Sequence, residues 1–111
     1  MRNAVREFRR IAAEVAKEQR QVNDLNELLI HRQTSQVFAE VKNSPEKVKA
    51  LAELLFSGVT YVPIYAAEIL MRLKANGVDI SLALPAMKKA YDDPKSHFKV
   101  KAYLGAAANL D

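Results

Sequence analysis

From residue 3 to residue 32 the chain carries no proline or glycine, and its apolar residues fall at helical spacing. Ala4, Phe8, Ile11, Val15, Val22, Leu25 and Leu29 share one face. The pattern predicts a helix of about 28 residues, about 42 Å long at about 1.5 Å per residue, which either spans the whole domain or projects from it. Thr34 or Ser35 is placed to cap a short helix carrying Val37, Phe38 and Val41, ending near Asn43. Ser44-Pro45-Glu46 is a stronger start: a capping hydroxyl, a proline at the first helical position and an acid near the positive end of the dipole. The helix it opens buries Val48, Leu51, Ala52 and Leu55 and stops at Gly58. Thr60 caps the next, which runs to a left-handed stop at Asn76-Gly77. Asp79 or Ser81 opens a further helix with Leu84, Met87 and Tyr91 inward. Asp93-Pro94 breaks it, and Ser96 caps a last helix that reaches the C-terminus. No strand is predicted, because the one β-branched run, Val59-Thr60-Tyr61-Val62, leads straight into Pro63.

A degenerate internal repeat overlies this pattern. Val62-Pro-Ile-Tyr-Ala-Ala-Glu-Ile-Leu-Met-Arg-Leu73 returns as Val100-Lys-Ala-Tyr-Leu-Gly-Ala-Ala-Ala-Asn-Leu-Asp111, each preceded by a shorter amphipathic helix. The period, roughly 40 residues, suits stacked helical hairpins rather than an enzyme fold. The stretch from Leu84 to Leu110 resembles a HEAT repeat: Pro85 opens its first helix, Asp92-Asp93-Pro94 marks the turn, and Val100-Lys101 followed by small residues forms the second helix. Residues 45–77 resemble the same unit more loosely, with Phe56-Ser-Gly-Val at the turn, while residues 1–43 show no such match. The expected architecture is one all-α domain over residues 1–111. It is a short HEAT-like α-solenoid of two stacked hairpins, 45–77 and 81–111, with a long N-terminal helix and a short one in 1–43. Two units fall short of the three or more that usually stand alone, so the N-terminal helices or another chain must cap them.

Helical angles then locate two candidate surfaces. On the helix after Thr60, Val62, Ala66, Ile69 and Leu73 occupy one face and Ile64, Ala67 and Met71 the other, leaving a strip of Tyr61, Tyr65, Glu68 and Arg72. Lys99 and Tyr103 take the positions of Tyr61 and Tyr65 in the second unit. If second helices line a concave side, as the resemblance implies, these six residues form a groove suited to a peptide or helix. The alternative is that the tyrosines pack between hairpins with only the hydroxyl exposed. The second surface is a basic strip on the long helix, Arg2, Arg6, Arg9, Arg10, Lys17 and Arg20, opposite the apolar stripe. Such a strip can track a phosphate backbone or an anionic membrane surface, or it is a solvated face with local pairs, Arg10–Glu14 and Arg20–Asp24. The apolar stripe is expected to pack on the repeats. Its alternative use is a homodimer seam within residues 3–32, because Val5, Phe8, Ala12, Val15, Gln19, Val22, Asn26 and Leu29 step alternately by three and four.

Composition narrows the function classes. The 111 residues carry 17 basic and 13 acidic groups, a net charge of +4, which is compatible with an acidic partner but does not by itself imply nucleic acid. No apolar run approaches the roughly 20 residues of a membrane span. The absence of cysteine removes disulfides and thiolate metal sites and points to a cytoplasmic location. The two histidines give little for a metal, the three single glycines form no phosphate loop, and no serine sits in a nucleophile elbow. The expectation is a non-enzymatic protein-binding module with no cofactor and no metal, of adaptor, chaperone or inhibitor type. A nucleic-acid binder using the basic strip and a self-associating structural protein are the alternatives.

Overall fold

A computed structural model describes the backbone of residues 2–110 and the side chains of residues 4–110. Among the described residues it is all-helical. The order is α1 (Arg2–Ile30), α2 (Thr34–Val41), α3 (Pro45–Glu53), a 3-10 turn (Leu54–Phe56), α4 (Tyr61–Ala75), a second 3-10 turn (Ser81–Ala83), α5 (Leu84–Asp92) and α6 (Phe98–Ala108). The core lies where α4 meets α6, α5 packs on α6, and α1 crosses α3. Leu29, Val37, Val41, Leu51, Ile69, Leu70, Leu73, Met87 and Leu104 are wholly buried there, and no polar or charged residue among those described is buried with them. Small residues, Ala66, Ala67, Ala90, Gly105 and Ala107, let the helices approach closely and raise the dispersion contact per unit area.

Local chemistry explains the boundaries. Ser44 is extended at φ −138°, and its Oγ accepts from the Lys47 amide at 3.3 Å, with Pro45 beginning α3 as expected. Three helices end on a left-handed residue: Arg32 (φ 58°), Gly77 (φ 77°) and Asn109 (φ 54°). In each case the amide that follows bonds back five residues, Gln33 to the Leu28 carbonyl, Val78 to Leu73 and Leu110 to Gly105, which satisfies terminal carbonyls that would otherwise lack partners.

Several expectations are corrected. Thr60 makes no side-chain cap, because at φ −47°, ψ −43° it is already helical; Ser57 Oγ instead accepts from the Val59 amide and shapes the preceding turn. The cap of α6 is His97, whose Nδ1 accepts from the Lys99 amide at 3.1 Å, while the Ser96 hydroxyl donates to the Ala90 carbonyl and fastens α5 to the turn. Thr34 lies inside α2, with Gln33 at its cap position and no side-chain hydrogen bond there. Leu84 is 40% exposed rather than inward, its place taken by Ala83 and Ala90.

The largest correction concerns the apolar stripe of α1. Every residue from 4 to 20 is exposed, and packing on the domain begins only at Val22. Along the seam stepping by seven, Leu29 is fully buried, Val22 half-buried, Val15 58% exposed and Phe8 73% exposed. At 29 residues α1 is longer than the body it crosses, so its N-terminal part projects and the longest dimension reaches 50 Å. The short helices α2 and α3 reach only its C-terminal part. Of the stripe, only Leu25, Leu29 and the half-buried Val22 join the core.

Candidate functional site

Of the tyrosine strip, Tyr61 meets Tyr65 and Glu68 meets Arg72 on α4, and the tyrosines are partly used by the fold. Tyr61 sits at the start of α4, half-buried, and its hydroxyl donates to the Ile30 carbonyl at 3.1 Å, closing the C-terminal end of α1. Its ring meets Tyr65 edge-on, with centroids 6.0 Å apart, and the Arg32 guanidinium lies 5.4 Å from its centre. Glu68 and Arg72 pair with one another at 3.0 Å, as i,i+4 residues on one turn. Tyr103 is half-buried on α6 and Lys99 is exposed. Tyr61, Tyr65 and Tyr103 all pack against the core, so their apolar surface is largely spent on stability. Arg32 was not foreseen, because a left-handed arginine over a ring leaves no signal in hydrophobic periodicity.

The basic strip is placed on the projecting part of α1. Arg2 belongs to it, but its side chain lies outside the described residues. Arg10 is clamped between Glu7 and Glu14, and these carboxylates, Glu7 foremost, raise its already high pKa further. Lys17 reaches Glu46 at the start of α3 across 3.5 Å. Arg6, Arg9 and Arg20 are exposed and, among the described residues, have no ion pair; the expected Arg20–Asp24 pair does not form.

The apolar side of the same segment carries Val5, Phe8, Ile11 and Val15, between 48% and 73% exposed. No other element covers them. Where α1 leaves the body, it forms with α3 and Leu82 an open groove of about 750 Å³. Its lining carries Glu14, Glu18, Glu46 and Glu53, with Lys17 and Lys49, and the apolar side chains of Val15, Val22 and Leu82.

The other titratable groups do local structural work. Asp93 Oδ1 accepts from the Lys95 amide, and the His97 ring stacks on Phe98 with centroids 4.5 Å apart. Asp79 accepts from the Ser81 amide and hydroxyl, and these bonds hold its pKa below the ordinary carboxylate value. Among the described residues no group of three or more metal-ligating side chains converges, and no helix is long and apolar enough to cross a membrane. Comparison with protein families, with curated proteins and with solved structures finds no match to this chain.

Proposed function

We propose that this chain is a non-enzymatic protein-interaction module of adaptor, chaperone or inhibitor type, in which the projecting part of α1 is the docking element. The observation that carries the reading is the run from residue 4 to residue 20, exposed throughout while displaying Val5, Phe8, Ile11 and Val15 on one side. An amphipathic helix draws most of its stability from burying its apolar face, and this one has no partner for that face within its own domain. The α3–α4 and α5–α6 pairs are read as two HEAT-like hairpins, supported by α4 and α6, their second helices, lying side by side. On this reading the hairpins hold the C-terminal end of α1 rigidly and present the remainder.

The tyrosine strip is the lesser docking face, since Tyr61 is hydrogen-bonded to α1 and Glu68 to Arg72. The nucleic-acid reading has less support, because Arg10 and Lys17 are already ion-paired and the aromatic residue among the arginines, Phe8, belongs to the apolar stripe rather than to the basic strip. A photo-reactive residue placed at position 8 of the full chain tests the proposal. A cross-linked protein adduct, self or foreign, is expected from position 8 and none from the exposed control position 40 on α2. Equal yields at both positions, or none from position 8, would overturn it.

A further inference from the structure

We propose that residues 5–22 of α1 pair in antiparallel fashion with the same residues of a second copy of this chain. The inference rests on the protein-interaction reading above and names its partner. The seam supplies the register. Among the layers that step by three and four, the alignment that uses the whole projecting segment, and stops where the body begins to bury α1, sets Val5 against Val22, Phe8 against Gln19 and Ala12 against Val15 of the second copy. Two of the three kinds of layer then match unlike side chains, Ala12 with Val15 and Phe8 with Gln19, the Phe8 ring lying along the aliphatic stem of Gln19. A parallel pair would instead stack Phe8 on Phe8 next to Ala12 on Ala12, a wide layer beside a narrow one.

Charge selects the same orientation. The N-terminal part of the described segment holds Arg6 and Arg9, which have no ion pair among the described residues, beside Arg10, which is held by Glu7 and Glu14. The groove beside residues 14–22 holds Glu18 and Glu53, likewise without an ion pair among the described residues, beside Glu14 and Glu46, which pair with Arg10 and Lys17. Antiparallel pairing lays the basic end of each copy along the acidic groove of the other, twice by symmetry, whereas parallel pairing sets basic end on basic end. The groove also supplies area that a lone pair of helices lacks. The projecting run is only about 25 Å long at about 1.5 Å per residue, and a stable interface wants roughly 800 Å² from each partner, so contact with Leu82 and the α3 wall is part of the fit. In this arrangement the two bodies stand at opposite ends of the seam.

Sedimentation of the full chain over a concentration series tests the pairing. The 12.4 kDa chain is expected to double its mass with rising concentration. Phe8→Glu, at a site exposed in the monomer, is expected to weaken association by at least about tenfold while leaving helix content unchanged. Orientation is read from Ile11→Cys/Glu18→Cys, in a chain otherwise free of cysteine. These positions are two turns apart on one helix, about 10 Å, too far for a disulfide within one chain. Oxidised dimers linking position 11 to position 18 support the proposal, and dimers linking 11 to 11 overturn it. A chain that stays monomeric into the millimolar range also overturns it. If that monomer still cross-links a foreign protein from position 8, the interaction reading stands and only the self-pairing falls.

Discussion

Truncating one seam of α1 at two places separates the part of the helix that holds the fold together from the part that is free. Leu29 and Phe8 occupy equivalent positions of the step-by-seven pattern, yet Leu29 is 0% exposed and Phe8 is 73% exposed. Leu29→Ala removes buried methyl groups and leaves a void between α1 and the core, at a cost of about 2–5 kcal/mol. Against the roughly 5–15 kcal/mol typical of a domain, that is a large part of the total. Phe8→Ala removes a ring that is 73% exposed, and is expected to change stability by no more than about 0.5 kcal/mol. Urea unfolding followed by circular dichroism measures both, at protein concentrations lowered until the midpoint no longer moves, so that self-association does not contribute. With a urea slope of about 1–3 kcal/mol per molar, Leu29→Ala should lower the midpoint by at least about 0.7 M, and Phe8→Ala should leave it in place. A loss above about 1 kcal/mol for Phe8→Ala at the dilution limit, or a silent Leu29→Ala, would refute the placement of α1.

Three further outcomes follow from local geometry. Tyr61→Phe should cost about 1 kcal/mol in thermal or urea unfolding through loss of the hydrogen bond to the Ile30 carbonyl, while Tyr103→Phe should be neutral. Gly77→Ala should cost about 1–2 kcal/mol by the same measurement, because the φ of 77° disfavours any Cβ although no atom lies within 4 Å of one. Asp79 has a lowered pKa in the folded chain, so its contribution is fully present above its unfolded value, about 3.9, and is lost as pH falls through the lower folded value. Melting temperatures of the natural chain and Ser81→Ala should therefore differ at neutral pH and converge in acid.

Much of the secondary structure was legible because it depends on short-range chemistry. Ser44-Pro45-Glu46 reads as a helix start whatever it packs against, and Asn76-Gly77 as a stop, since capping and left-handed backbone are local properties. The misread caps have an equally local cause. Thr60 and Ser96 both look like caps, but Thr60 is itself helical and α4 has no side-chain cap, while at α6 the adjoining His97 has the better geometry. Arg32 could not be found this way, because its left-handed conformation is held by the α1–α2 turn and by the ring of Tyr61, more than twenty residues along the chain.

The candidate surfaces were legible as faces but not as free or occupied. Periodicity places Tyr61 and Tyr65 on one strip and Phe8 and Val15 on another, yet it says nothing of which strip meets a neighbour. The sequence by itself determined an all-helical chain, most of its helix boundaries and the seam of α1, because amphipathic spacing and end chemistry are written residue by residue. Only the tertiary structure decided where that seam is covered. Burial depends on the lengths and crossing of other helices, and α3 meets α1 only as far as the groove beside residues 14–22, so Leu29 became core and Phe8 became surface.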